Sequence, residues 1–362
     1  MRSPKTILFI SGALLVFGLV TLSSAGVVDG QNKFGSPQYY FIHQLLFGVL
    51  PGIIAFIIFS RIPYRFWQKV SLPLLIFSLF LLVLVLIPSY GQHLKGAQRW
   101  LRIGAISFQP AELLKLSIIA YFSAWFSRKE VTVKHWSYSA VPFFIIIIFI
   151  SLLLASQPDI GTLSIVLLIA FAMYFVAGAK MKHIGILLLV LVIIMGILVY
   201  FEPYRLNRVL TFINPSQDTQ GSSYHIRQAK IGLGSGGLFG RGFGESQQKI
   251  NFLPEPVGDS IFVILTEELG LVGAGTLMLL FLLLTFSMAS ISLHASDSFS
   301  QLFVIGVLIW IVGQAFMNIA AISGLMPLTG VPLPFVSYGG TALASILGSL
   351  GIVYNIAKHQ KV

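Results

Sequence analysis

Long apolar runs decide what this chain can fold into. They lie at Ile7–Ala25, Tyr40–Ser60, Val70–Ile87, Pro110–Phe126, Tyr138–Ala155, Thr162–Gly178, Ile184–Phe201, Leu269–Ile291, Leu302–Ile322 and Thr341–Ala357. A helix crossing a bilayer needs about 20 mostly apolar residues, with a range of about 17–25. The runs therefore predict an all-α, polytopic integral membrane protein of about ten transmembrane helices. Composition agrees, since 10% of the residues are charged and 56% hydrophobic, against roughly 25% charged in a soluble domain. That excludes an ordinary soluble enzyme, a disordered chain and a nucleic-acid-binding domain. Cysteine is absent, which removes disulfides, thiolate metal sites and cysteine nucleophiles. No loop is large enough to fold alone, so residues 1–362 read as one membrane domain. Its single long loop, 202–258, lies between the seventh and eighth spans.

Arg2 and Lys5 before the first run, and Ser23-Ser24-Ala25 at its end, have the outline of a signal peptide. The run is long for such a segment and reads better as a retained helix. Lys and Arg in short loops then set the orientation. Arg2, Lys5, Arg61, Arg65, Lys69, Arg128, Lys129, Lys134, Lys180, Lys182, Lys358 and Lys361 collect on one side, which places both termini in the cytoplasm. The outer face still carries Lys95, Arg99 and Arg102 before the fourth span, and Arg205, Arg208, Arg227, Lys230, Arg241 and Lys249 in the long loop. Insertion does not require them. As a group they suit an anionic ligand at the outer surface, from lipid headgroups to a lipid-linked phosphate or pyrophosphate.

Ionisable residues inside spans are costly and mark functional candidates. Glu112 and Lys115 follow Gln109-Pro110-Ala111 just inside the fourth span, and i,i+3 spacing puts both on one face. A structural ion pair and a role in the reaction fit them equally. Either way they face protein or a wet cavity. Asp159, ahead of Ile160-Gly161-Thr162, suits a helix N-cap that also lines a cavity. Asp259, in Leu253-Pro254-Glu255-Pro256-Val257-Gly258-Asp259-Ser260, is either a cap or a carboxylate serving as general base or cation ligand. Gly324–Gly340 is uncharged yet broken by glycine and proline, as in a re-entrant loop lining a cavity, and Ser337 supplies it with a hydroxyl. Gly232-Leu233-Gly234-Ser235-Gly236-Gly237 is a literal G-x-G-x-x-G, but without a βαβ unit it says nothing of a dinucleotide.

Taken in order, these pieces resemble the SEDS family (shape, elongation, division and sporulation; FtsW, RodA and SpoVE types). The resemblance rests on Gly96-Ala97-Gln98-Arg99-Trp100-Leu101, Gln109–Lys115, Gln157–Thr162, Tyr204-Arg205-Leu206-Asn207-Arg208 before Asn214-Pro215, Leu253–Asp259, Glu267-Glu268-Leu269-Gly270 and Pro332–Gly340. Gly244–Lys249 looks closer to the FtsW branch. The family's members usually carry His-Thr before the aspartate that matches Asp259, where this chain has Val257-Gly258.

The resemblance implies a peptidoglycan glycosyltransferase that polymerises lipid II on the outer face of the bacterial cytoplasmic membrane. In that reading Asp259 is the catalytic residue and the candidate ligand of a divalent cation, Mg²⁺ or Mn²⁺, with no organic cofactor. Arg99, Arg205, Arg208 and Lys249 face the pyrophosphate, while Glu112, Lys115, Asp159 and Ser337 shape the substrate cavity. Expected partners are lipid II, membrane lipids and a class B penicillin-binding protein, and no nucleic acid. Two readings of other classes stay open: a lipid II flippase or transporter, and a non-catalytic membrane scaffold for a penicillin-binding protein.

Overall fold

A computed structural model of the chain describes residues 3–94, 97–103, 106–128, 136–200, 222–250 and 252–360. The helices are α1 (Pro4–Ala25), α2 (Val27–Phe34), α3 (Tyr39–Arg61, with a π turn at Leu45–Val49), α4 (Tyr64–Leu86), α5 (Pro110–Phe126) and α6 (Val141–Ser156). They continue with α7 (Ile160–Val176), α8 (Met181–Tyr200), α9 (Ser222–Ser235), α10 (Ile261–Leu293), α11 (Ser298–Ile322) and α12 (Gly340–Lys358). A helix thus occupies each apolar run. Among the described residues, α1, α3, α4, α10, α11 and α12 are the six long and apolar enough to cross a membrane by length and composition. The chain is a multi-pass membrane protein.

Two features depart from the sequence reading. The eighth run was expected to begin at Leu269, whereas α10 begins at Ile261. Glu267 and Glu268 count against a span in hydropathy, yet here they are buried inside the helix. The second is an antiparallel meander, β1 (Gly91–Leu94), β2 (Ala97–Ile103) and β3 (Ile106–Phe108), paired in that order. It connects α4 to α5 and presents Arg99 and Arg102.

The core is built around α11, which packs on α5, α7, α10 and α12. Lipid-facing helices need no apolar driving force between them and associate through close packing of small residues. The contact between α3 and α12 follows this rule. A Cβ on Gly351 would lie 2.6 Å from Phe56 O, one on Gly340 2.5 Å from Phe47 O, and one on Gly52 2.6 Å from Leu347 Cδ1. Outward-facing Phe9, Phe80, Ile145 and Phe286 are exposed, as a lipid-contacting surface requires.

The turn into α11 is held by a capping box, with Ser300 N–H donating to Asp297 Oδ1 at 2.8 Å and Asp297 N–H donating to Ser300 Oγ. Tyr64 Oη donates to Asp297 Oδ2 at 2.7 Å. Burial alone would push the Asp297 carboxyl up, but the Ser300 backbone bond, the Tyr64 and Ser300 hydroxyls and the Arg65 charge together hold it below its ordinary value of 3.8. Asp297→Ala is expected to cost about 1 kcal/mol, the usual value of an N-cap. A depressed folded-state pKa stabilises above the unfolded value and loses that contribution as pH falls through the folded one. The gap in thermal unfolding temperature between wild type and variant should therefore be full at neutral pH and shrink below about pH 4.

Candidate active site

The site is assembled around an interruption in α10. Gly270 has φ 66° and ψ −164°, a conformation open essentially to glycine alone. It separates a first segment, 261–269, from the longer remainder of the helix. Against that first segment lies α9, with His225, Ala229 and Gly232 at helical spacing along it and Gly236 just past its end. His225 Nε2 meets Ser260 Oγ at 2.6 Å, Ala229 is fully buried, Gly232 packs on Val263 and Gly236 on the Thr266 backbone. Within the G-x-G-x-x-G stretch, Gly232 and Gly236 thus serve close packing against α10, whereas Gly234 and Gly237 have open space where a Cβ would stand.

The loop that follows α9 is caged by the two acidic residues of the first segment. Glu267 accepts from Ser246 Oγ at 2.5 Å, Gln248 N–H at 3.1 Å and Gln247 N–H at 3.3 Å. Glu268 Oε1 accepts from Ser24 Oγ at 2.6 Å and pairs with Lys249 Nζ at 2.8 Å. Lys249 Nζ also donates to Ser24 Oγ at 2.9 Å and to Gly244 O at 2.7 Å. The sequence placed Lys249 at an open anion site. In the structure its three donors are committed to the interior, because the buried Glu268 carboxylate needs a counter-charge.

Asp259 ends the turn that leads into α10, half-buried. The N-cap position belongs to Ser260, whose side chain makes no capping bond. Two other elements fix the backbone of Asp259 and of the two residues before it. Asn318 Nδ2 on α11 donates to Asp259 O at 2.9 Å and to Val331 O at 2.7 Å. From the broken loop ahead of α12, Ser337 Oγ donates to Gly258 O at 2.6 Å and Tyr338 N–H to Val257 O at 2.8 Å. A narrow cavity, too tight for a water molecule in this conformation, lies beside Asp259 and is lined by Asp259, Asn318, Leu328, Thr329, Gly330 and Val331. Asn318 Oδ1 and Thr329 Oγ1 are buried there without a hydrogen-bond partner. Buried polar atoms normally have one, so both retain unused hydrogen-bonding capacity.

Glu112 and Lys115 form a buried pair at 2.8 Å, facing protein as expected. Lys115 Nζ also donates to Gln314 Oε1 at 3.0 Å and stands 4.9 Å from the Trp310 ring centroid. Gln314 Nε2 in turn donates to Pro332 O at 2.8 Å. The pair is thereby connected to the loop that lines the Asp259 cavity. Asp159 caps α7, accepting from Thr162 N–H at 3.2 Å, and receives Gln109 Nε2 at 3.4 Å. Arg99 Nη1 lies 3.7 Å from Asp159 Oδ1, its Nε donates to Gln157 O at 3.2 Å and its Nη2 to Pro158 O. This cluster borders the same loop, since a Cβ on Gly161 would lie 2.5 Å from Thr329 O. Arg205 and Arg208 lie outside the described residues.

Sequence reasoning missed His225, Gln314 and Asn318, whereas Thr329 belongs to the broken loop that it named as a cavity lining. Two signals were available. Gln314 and Asn318 are amides at i,i+4 in an otherwise apolar span, and His225 precedes the small residues Ala229 and Gly232 at helical spacing.

Among the described residues no three His, Asp or Glu side chains gather as a metal cage. Asp259 with neighbouring amide and hydroxyl oxygens is a sparse, hard donor set. That fits a Mg²⁺-type ion, which keeps several waters and takes other ligands from substrate phosphates.

Comparison with known proteins extends over the whole chain. A family model for FtsW, RodA and SpoVE, described as cell cycle protein, matches residues 5–362. Stage V sporulation protein E of Bacillus subtilis (strain 168) is 37% identical over 360 residues, covering 99% of this chain and 98% of that protein. The probable peptidoglycan glycosyltransferase FtsW of Geobacter sulfurreducens (strain DL-1 / KN400) is 35% identical, covering 99% of this chain and 96% of that one. A chain from a solved peptidoglycan synthase complex, in which polymerization and crosslinking are coordinated, superposes with TM-score 0.80 at 26% identity, over 98% of this chain and 97% of that chain.

Proposed function

The chain belongs to the FtsW, RodA and SpoVE family of cell cycle proteins, and from that premise we propose that it is a peptidoglycan glycosyltransferase polymerising lipid II. The observation that carries the reading is the half-buried Asp259, on a turn whose backbone is held from α11 and the α11–α12 loop, beside a narrow cavity lined by Asn318 and Thr329, each with a polar oxygen that has no partner. A general base needs this combination of fixed geometry and access. Both termini lie in the cytoplasm, which puts Asp259 on the outer face.

In the reaction, Asp259 takes the proton from the GlcNAc 4-hydroxyl of an acceptor lipid II. The oxygen forms a bond to the anomeric carbon of MurNAc on the donor, whose bond to undecaprenyl pyrophosphate breaks. Negative charge grows on the departing pyrophosphate, and preorganised cations stabilise it better than water does. Arg99 is one such cation, oriented by Asp159 and the Gln157 carbonyl, and Arg205 and Arg208 are the others. A Mg²⁺ or Mn²⁺ ion held by Asp259 would supply further neutralisation of that charge. Asn318 Oδ1 and Thr329 Oγ1 offer hydrogen-bond partners to the sugar, and the Glu112–Lys115–Gln314 chain holds the loop that carries Thr329. A class B penicillin-binding protein is the proposed partner for crosslinking.

The test is synthesis by the purified chain in liposomes supplied with lipid II and Mg²⁺, with and without that partner. Glycan strands with release of undecaprenyl pyrophosphate support the reading. Transfer of labelled lipid II across the bilayer with no strands, partner present, replaces it with the flippase.

A further inference from the structure

Val257 and Gly258 give Asp259 no polar side chain from the residues just before it, yet an imidazole stands behind its turn. His225 Nε2 lies 2.6 Å from Ser260 Oγ. The same hydroxyl lies 2.8 Å from Pro254 O and 3.4 Å from Asp259 Oδ1, and Ser260 is fully buried. A serine hydroxyl has one proton to give and two lone pairs to accept with. The Pro254 carbonyl and an ionised Asp259 only accept, so the Ser260 proton is directed at one of them. The proton between Nε2 and Oγ therefore comes from histidine, and the contact selects a ring protonated on Nε2.

We propose that His225 is a positioning residue for Asp259: it donates to Ser260 from α9, and Ser260 in turn bonds Pro254 O at the start of the turn that ends in Asp259. The inference rests on the reading of Asp259 as the acidic residue of the reaction. Two physical effects follow from the geometry. Donation into the Ser260 oxygen polarises its O–H and strengthens the bond that the hydroxyl gives onward. It also anchors the turn to a helix that is itself packed on α10 through Gly232 and, just past its end, Gly236. Without it the turn that carries the carboxylate would lose its tie to α9. A misplacement of about 1 Å at a reacting group costs on the order of 100-fold in rate.

The experiment measures kcat and KM for lipid II with the full chain in liposomes, for wild type, Asp259→Asn, His225→Ala, His225→Gln, Ser260→Ala and the double variant, alongside thermal unfolding. His225→Ala and Ser260→Ala should each lower kcat by about tenfold or more, with KM changed by less than about twofold. The double variant should be no worse than either single, because the two act as one unit. Glutamine places an N–H donor near the Nε2 position, so His225→Gln should recover activity to within about threefold of wild type. The proposal is overturned if His225→Ala keeps kcat within about twofold, if His225→Gln is no better than alanine, or if the single losses multiply. A wild type that makes no strands overturns the glycosyltransferase reading itself. Active wild type with silent Asp259→Asn confines the result to His225.

Discussion

Lys115→Ala should be the most destabilising single substitution in the chain, at about 3–5 kcal/mol. Lys115 and Glu112 are each about 2% exposed, and Glu112 Oε2 already has no hydrogen-bond partner. Truncating the lysine leaves a carboxylate with neither counter-charge nor water. Gln314 Oε1 would keep the Trp310 Nε1 donor at 3.0 Å, so the damage centres on Glu112. A double change to Glu112→Leu and Lys115→Met removes both charges at similar volume and should restore most of the stability, as replacements of buried pairs often do. Unfolding of the purified variants in lipid micelles checks the order. A single variant as stable as wild type would mean that the pair is hydrated in the membrane.

Gly270→Ala should have the second largest effect, more than about 2 kcal/mol from the backbone conformation and the collision together. A Cβ at Gly270 would lie 2.5 Å from Leu238 O and would also strike Gly240 N. The break exists so that Leu271 N–H can donate to Gly237 O at 2.9 Å and Val272 N–H to Leu238 O at 3.1 Å. Those bonds dock the loop after α9 onto the start of the longer part of α10. Releasing it also uncages Glu267 and Glu268. The variant should become sensitive to proteolysis between residues 236 and 250 at temperatures where wild type resists, and intact loops in both would refute the account of the break.

The helices were legible because the bilayer demands unbroken apolar length, and that demand is written locally. The Glu112–Lys115 pair was legible for the same reason, since i,i+3 spacing on a helix is local geometry. The three short strands before α5 carry too few residues for a periodic signal. Gly270 sits at the boundary of an apolar run, where a helix start and a helix interruption look alike. Lys249 could be read only as an outer cation, because its partners Glu268 and Ser24 meet it from two separate helices. His225 and Asn318 were missed because each acts on Asp259 from an element distant in sequence. Local chemistry around Asp259 showed a turn and a carboxylate, and the tertiary fold supplied what holds them.

The central claim is that Asp259 performs the proton transfer in glycan synthesis. Its most direct test is lipid II polymerisation by Asp259→Asn beside wild type, in liposomes with Mg²⁺ and the transpeptidase partner. Asparagine keeps the size and the backbone bonds from Asn318 and Ser337 but cannot act as a base. The account predicts unchanged thermal unfolding and a loss of activity of at least about 100-fold, the lower range for a general base. Glycan strands from the variant at more than about a tenth of the wild-type rate would contradict it.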